Sequence, residues 1–581
     1  MKHLFHIAVL IIILTTSAAS CAAVPAIVPN DPGWPRVIEA EGRELTIYQP
    51  QIDFWTNYKL IHVRYAISVK SSAVSEEIFG VAEVEAETTV DQESRVVTLL
   101  NQTRELRFPD TSEAETEVLQ KTVDELSPPG STLTVSLDRV LAYLDPEKQP
   151  QQQAVELNLD PPKIFFSSTP AILVLFIGQP QLLPVVKDKK NLMFAVNSNW
   201  PVFFDATMSR YYLLNGDNWL SAADAVKGPW TPAQELPKSL MALPPDENWS
   251  SVREHLPGKR LSTPLTVFIS TEPAELILTQ GQPTFTPLTG TELMQVANSE
   301  SFVFLHSGNQ EYYLLTAGRW FRATDLNGPW SAASTDLPAD FALIADDTPA
   351  AAVKAAVPGT TEAKDALLLA SIPTKTMTTM ADPPPLQVSY QGPPKFTTIE
   401  TTTVQYATNS PNAVFLVSGR YYCCTNGVWF ESPAATGPWT LCSTVPAAIY
   451  TIPPAHPAHN VPYVVVQDVT PTTVVYTQTA GYSGEYVATT GVLMFGAGVV
   501  VGAILADDDH YYSPRYPVPY SYGWGARYDY HYGGYYRGGS IAYGPYAGGG
   551  SHAAYNPHTG TYSRGAYAYG PAGSASVARA Y

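Results

Sequence analysis

"YYLLNGDNWLSAADAVKGPW" (residues 211–230) returns as "YYLLTAGRWFRATDLNGPW" (residues 312–330) and again as "YYCCTNGVWFESPAATGPW" (residues 421–439). Aligned, the copies share a central turn at Gly216-Asp217, Ala317-Gly318 and Asn426-Gly427. Asn-Gly is a strong two-residue hairpin signal, because a type I′ turn needs positive φ at both positions. That turn sets the pairing. Leu214, Leu315 and Cys424 should oppose Trp219, Trp320 and Trp429, and Leu213, Leu314 and Cys423 should oppose Leu220, Phe321 and Phe430.

Strand side chains alternate between faces. One face of the first copy carries Tyr211, Leu213, Leu220 and Ala222, and its apolar composition reads as core. The other carries Tyr212, Leu214, Trp219 and Ser221, and its last position becomes Arg322 and then Glu431. A position that accepts Ser, Arg or Glu is wet. Tyr212, Trp219, Tyr313, Trp320, Tyr422 and Trp429 are therefore the candidate ligand-binding aromatics, with core packing as the standing alternative, since large aromatics also dominate cores. Trp230, Trp330 and Trp439 of the Gly-Pro-Trp turns are expected to lid the core.

The repeat is longer than the hairpin. "KIFFSSTPAILVLFIGQPQLLPV" from Lys163 matches "TVFISTEPAELILTQGQPTFTPL" from Thr266, and "LMFAVNS", "LMQVANS" and "VQYATNS" match at residues 192–198, 293–299 and 404–410. A unit of about a hundred residues is blade-like or sandwich-like rather than a short solenoid period. The expected fold class is mainly β with minor α. An N-terminal α+β domain (residues 30–160) precedes three related modules (residues 163–265, 266–366 and 367–455). A β segment with a Gly-rich apolar run follows (residues 456–509), then a disordered Tyr/Gly-rich tail (residues 510–581). That tail holds half of the 34 tyrosines and almost no Leu, Ile or Val, so it cannot build an aliphatic core.

In the N-terminal domain, "RELTIYQP", "KLIHVRYAISV", "RVVTLL" and "STLTVSLDRVLAYL" read as strands. "DTSEAETEVLQKTVDEL" reads as a helix, capped by Asp110 with Glu113 and presenting Val118, Leu119, Val123 and Leu126 on one face.

Residues 1–23 have the layout of a signal peptide: Lys2, an apolar run, then small residues. Cleavage after Ser20 or Ala23 competes with lipidation of Cys21, where Ala18 stands in place of the aliphatic residue a lipoprotein signal prefers. Export to the periplasm, outer envelope or extracellular space is expected. Of the remaining cysteines, Cys442 is expected to bridge either Cys423 or Cys424, because the strand after Gly-Pro-Trp is expected beside the YYCC strand; Cys423 is slightly favoured, since it falls on the core face. A net charge of −19 argues against nucleic acid or anionic lipid as the main partner.

The YYLL-x-x-G-x-W-F hairpins with their GPW turns, the GQP and NS segments and the tail "YNPHTGTYSRGAYAYGP" resemble exported bacterial proteins labelled carbohydrate-binding family V/XII-like. The resemblance spans the chain from about Trp34 and implies polysaccharide or cell-wall glycan binding by exposed aromatics. The hairpin is also similar to blades of five-bladed β-propeller glycosidases. Those enzymes require carboxylates in a central funnel, where this chain offers Asp205, His306 and Val417.

No GxSxG, HExxH, P-loop or dinucleotide fingerprint occurs. His456 and His459 of "HPAH" lie in a proline-rich connector, and Asp224 and Asp325 read as turn formers. No metal or cofactor is expected. The apolar run at 491–505, extended to 488–506, barely reaches bilayer length, which leaves membrane insertion, a buried hairpin and an oligomerisation segment open. The sequence-based expectation is a non-catalytic glycan-binding protein. Its alternatives are a structural or adhesive envelope scaffold and, further off, a glycosidase-like propeller.

Overall fold

The computed structural model describes residues 33–495 apart from short gaps, together with backbone strands between residues 527 and 580. The leader, Cys21 and the part of the apolar run beyond residue 495 lie outside the described residues. The architecture is mainly β with minor α.

The N-terminal domain is a seven-stranded antiparallel sheet from Arg36–Ala40 to Leu133–Ser136. Its long central strands Leu60–Ser71, Val74–Asp91 and Val96–Arg107 alternate buried and open positions. Ile61, Val63, Tyr65, Ala82, Val84 and Val97 face the core. Helix Glu113–Leu126 covers that core with Leu119, Val123 and Leu126.

Two local expectations are corrected here. The helix is capped by Ser112, whose hydroxyl accepts from the Glu115 N–H while the Glu115 carboxylate accepts from the Ser112 N–H; this closed capping box sets the start two residues after the expected cap. Val118 is 65 % exposed rather than part of the buried stripe, because it sits one residue, about 100°, round the helix from Leu119. "STLTVSLDRVLAYL" is strand only to Ser136 and then becomes helix Leu137–Tyr143. Leu137, Val140, Leu141 and Leu144 recur at helical spacing and pack on the same core.

Each module is a six-stranded antiparallel meander in simple sequential order. The strands bounding them are Leu182–Val186 and Thr231–Pro232, Phe285–Pro287 and Ser331–Ala332, and Phe396–Thr398 and Thr440–Leu441. The first two modules are joined by strand exchange. Lys163–Ser167 pairs in parallel with Ala274–Leu278, and Ala171–Leu175 pairs in parallel with Thr266–Ser270. Repeat-equivalent strands thus swap partners reciprocally. Their shared core is built from equivalent residues, Ala171 with Ala274, Leu173 with Leu276, Leu175 with Leu278, and Phe165 with Phe268, whose rings lie 4.7 Å apart. This is a pseudo-two-fold, self-complementary interface within one chain.

Among the described residues the third module has no such partner. Counted from the matching meanders, Ala274, Leu276 and Leu278 correspond to Pro385, Gln387 and Ser389, so the face that mates modules one and two is polar here. A terminal repeat needs that polar outer face. Module three packs instead on a three-stranded antiparallel sheet of Thr374–Thr379, Thr473–Gln478 and Val464–Val469. Helix Thr361–Ser371 crosses the expected 366/367 boundary and adds Leu368 and Leu369 to the N-terminal core. Residues 485–495 form a short hairpin, with Tyr486, Ala488, Val492 and Met494 buried against Leu157 and Ala363. In the tail, Arg527–Asp529 pairs with Gly534–Tyr536, and Ile541–Ala542 through Gly573–Ala580 form a four-stranded antiparallel sheet.

Candidate functional site

The register of the repeated hairpin is as expected in every copy. Leu214 faces Trp219, Leu315 faces Trp320 and Cys424 faces Trp429, with Leu213–Leu220, Leu314–Phe321 and Cys423–Phe430 one step out. In the third copy Asn426 and Gly427 both have positive φ (51° and 71°).

The exposure expectation is overturned. Trp219, Trp320 and Trp429 are 5 %, 0 % and 0 % exposed, and Tyr212, Tyr313 and Tyr422 are buried beside them. Both faces of each hairpin are covered. In module one, Leu213, Leu220 and Ala222 pack on Ile172, Val174, Val267 and Ile269 of the exchanged strands. The opposite face, with Tyr212 and Trp219, packs on Leu240, Leu243, Trp249 and Val252 from the segment after Gly-Pro-Trp. In module two, Phe341 lies 4.5 Å from the Trp320 ring, centroid to centroid.

One device repeats three times. The indole N–H of Trp219 donates to the His255 carbonyl at 2.9 Å, that of Trp320 to Ala356 at 2.9 Å, and that of Trp429 to Val464 at 2.8 Å. Each bond ties the hairpin to the chain 36, 36 or 35 residues later. A buried indole N–H needs such a partner, and this one fixes the returning segment over the ring.

The variable position misled because it sits where that covering segment ends. Ser221 is buried, Arg322 reaches Asp336 at 2.8 Å, and Glu431 pairs with Arg420 at 3.0 Å. A wet edge does not make a wet face. The turn tryptophans do lie against the cores: Trp230 is buried, and Trp330 and Trp439 are partly buried against the second and third cores.

No family model, curated protein or solved structure matches the chain.

The strand ends that a propeller glycosidase would arm are clasped by the same returning segments. Asp205 accepts from the Ser239 hydroxyl and from the Met208 N–H at 2.6 Å. His306 pairs with Asp340 at 3.7 Å, and Val417 is buried in the third core. Asp224 caps its own turn, accepting from the Lys227 and Val226 N–H groups, which hold its carboxyl below the usual range. Asp325 does the same with Asn327. Among the described residues no group of three or more His, Cys, Asp or Glu side chains is placed to hold a metal ion.

The expected Cys423–Cys442 bridge is absent; Cys423, Cys424 and Cys442 are free and buried. The strand after Gly-Pro-Trp pairs with Val428–Ser432, not with Arg420–Thr425. Cys442 therefore lies two strand spacings, about 9–10 Å, from the YYCC strand, beyond the reach of a disulfide. The Cys442 N–H donates to the Trp429 carbonyl, which puts Cys442 on the Cys424 side of the sheet. Burial pushes the Cys423 and Cys442 thiols up to about 12.

His456 and His459 are drawn into the fold. The Ala458 N–H donates to Nδ1 of His456 at 3.1 Å, and Nδ1 of His459 donates to the Ile452 carbonyl at 2.6 Å. Sequence reading missed Arg319, which is fully buried at the turn of module two. Its Nε donates to the Asn158 carbonyl at 2.8 Å and its Nη1 to the Ala317 carbonyl at 3.0 Å. The equivalent positions hold Asn218 and Val428, and a charge at a position otherwise polar or apolar was the available signal.

Proposed function

We propose that this chain is a non-catalytic architectural protein of the bacterial cell envelope, whose β-modules are scaffold and whose Tyr/Gly-rich tail makes the adhesive contacts. The reading rests on one observation: the repeated aromatics are core, and the indole N–H groups of Trp219, Trp320 and Trp429 are spent on internal bonds. Strand exchange between modules one and two adds to it, since neither module completes its own packing alone. The leader layout supports export, and the tail's tyrosines supply amphipathic contact area without a core.

The test is retention of the purified mature protein on insoluble chitin, cellulose and peptidoglycan, alongside envelope fractionation with and without residues 510–581. The scaffold reading expects no retention that depends on Trp219, Trp320 or Trp429, and release from the envelope when the tail is deleted. Glycan retention abolished by folded variants at those tryptophans would reinstate the glycan-binding expectation. Undiminished envelope retention without the tail would remove the tail's assigned part.

A further inference from the structure

Module three is suspended from the sheet that covers it. The chain enters from Thr374–Thr379 and leaves into Val464–Val469, and both strands belong to the covering sheet together with Thr473–Gln478. That sheet lies on the Trp429 side of the hairpin. Val464 accepts the indole N–H, and the Tyr476 hydroxyl lies 2.9 Å from the Trp429 carbonyl and 2.7 Å from the Cys442 carbonyl. Modules one and two are covered by their own returning segments; in module three the returning segment, with Ile449, Ile452 and Val461 in the core, runs on into a sheet that completes the cover.

The exit connector holds His459, which is buried, and His456, which is partly buried. His456 packs edge-on against Tyr406 of the module at 5.1 Å, and His459 lies 5.5 Å from Tyr463 and 5.1 Å from Tyr486. The groups facing them are those tyrosines, the Ala458 N–H, the Ile452 carbonyl and each other. Among the described residues neither imidazole is ion-paired. Because the Ala458 N–H points at Nδ1 of His456, that nitrogen must carry the lone pair, and a proton placed there would meet the N–H head on.

We infer that the His456–His459 connector is an acid-sensitive latch, whose protonation releases module three from its covering sheet and uncovers Tyr422 and Trp429. Burial lowers His456 to about 4, and burial likewise lowers His459. The closed form thus holds these rings neutral, whereas the open form binds protons at the ordinary histidine value. Closure is fully favoured above about pH 6.5 and is lost progressively as pH falls toward about 4. For His456 alone, the opening equilibrium rises about 60-fold between pH 7 and pH 4.5.

The native thiols report the opening. Cys424 and Cys442 lie on the covered side with Trp429, and Cys423 lies on the other side of the sheet. The experiment uses the mature chain and 4,4′-dithiodipyridine from pH 7 to pH 4.5, with rates normalised to the unfolded chain and labelled sites read by peptide mapping. Expected is a rise of at least tenfold at Cys424 and Cys442, with Cys423 lagging well behind. His456→Gln, which accepts the same N–H but does not titrate, should flatten the profile at least fivefold and leave the pH 7 rate unchanged. Should that variant misfold, wild-type hydrogen exchange decides: loss of protection on acidification confined to residues 396–478 supports the latch. A rise under threefold, Cys423 labelling in step with the other two, or equal deprotection of residues 182–232 would overturn it.

Discussion

The Trp320 indole N–H donates to the Ala356 carbonyl across 2.9 Å, and the ring it belongs to is completely buried. That single bond joins the repeated hairpin to the segment that covers it. It converts a motif resembling a binding surface into one that closes a core.

Trp320→Ala should therefore cost about 3–5 kcal/mol, as loss of a large buried side chain does, with an unpaired Ala356 carbonyl added. Trp330→Ala should cost about 1–2 kcal/mol, because that ring is only half-buried. Urea melts of the two variants check the order, which is the reverse of the one the sequence suggested.

The exchanged strands predict coupling between modules. Leu173 and Leu276 occupy equivalent places in one shared core, and each is essentially inaccessible. Each change to Ala should cost about 2–5 kcal/mol. A double-mutant cycle should show an interaction of at least about 0.5 kcal/mol, because the two sites share one packing cluster. Independent melting of modules one and two would count against the exchange.

Cys423, Cys424 and Cys442 should all be alkylated when the exported chain is denatured without reductant, read as three labelled sites by peptide mapping. In the native state at pH 8 they should react far more slowly, since burial holds the thiols of Cys423 and Cys442 protonated. A missing pair of labels would show a disulfide and a different strand order.

Ser112→Ala should destabilise the N-terminal domain by about 1 kcal/mol through loss of the cap, read as a shift in its thermal melt.

Much of this fold was legible because hairpin chemistry is local. Asn426-Gly427 fixed the turn, alternation fixed the two faces, and the repeat copies agreed. What failed was long-range. Nothing within residues 211–230 says that Leu240, Trp249 and Val252 return over Trp219, so the outermost position of the face speaks only for its own edge. The partner of Lys163–Ser167 was hidden for the same reason, because it lies in the next repeat. The disulfide expectation assumed that a returning strand pairs with the earlier neighbour, whereas a meander adds it beside the latest one. Helix Leu137–Tyr143 was missed by reading β-rich composition over the spacing of Leu137, Val140, Leu141 and Leu144.

The central claim is that the repeated aromatics are core, and residue-resolved hydroxyl-radical footprinting of the native chain at neutral pH tests it most directly. Expected is near-complete protection of Trp219, Trp320 and Trp429, with strong modification of the open Phe54, Phe79 and Tyr143. Modification of the three tryptophans at rates comparable to Tyr143 would contradict the account and return them to the surface.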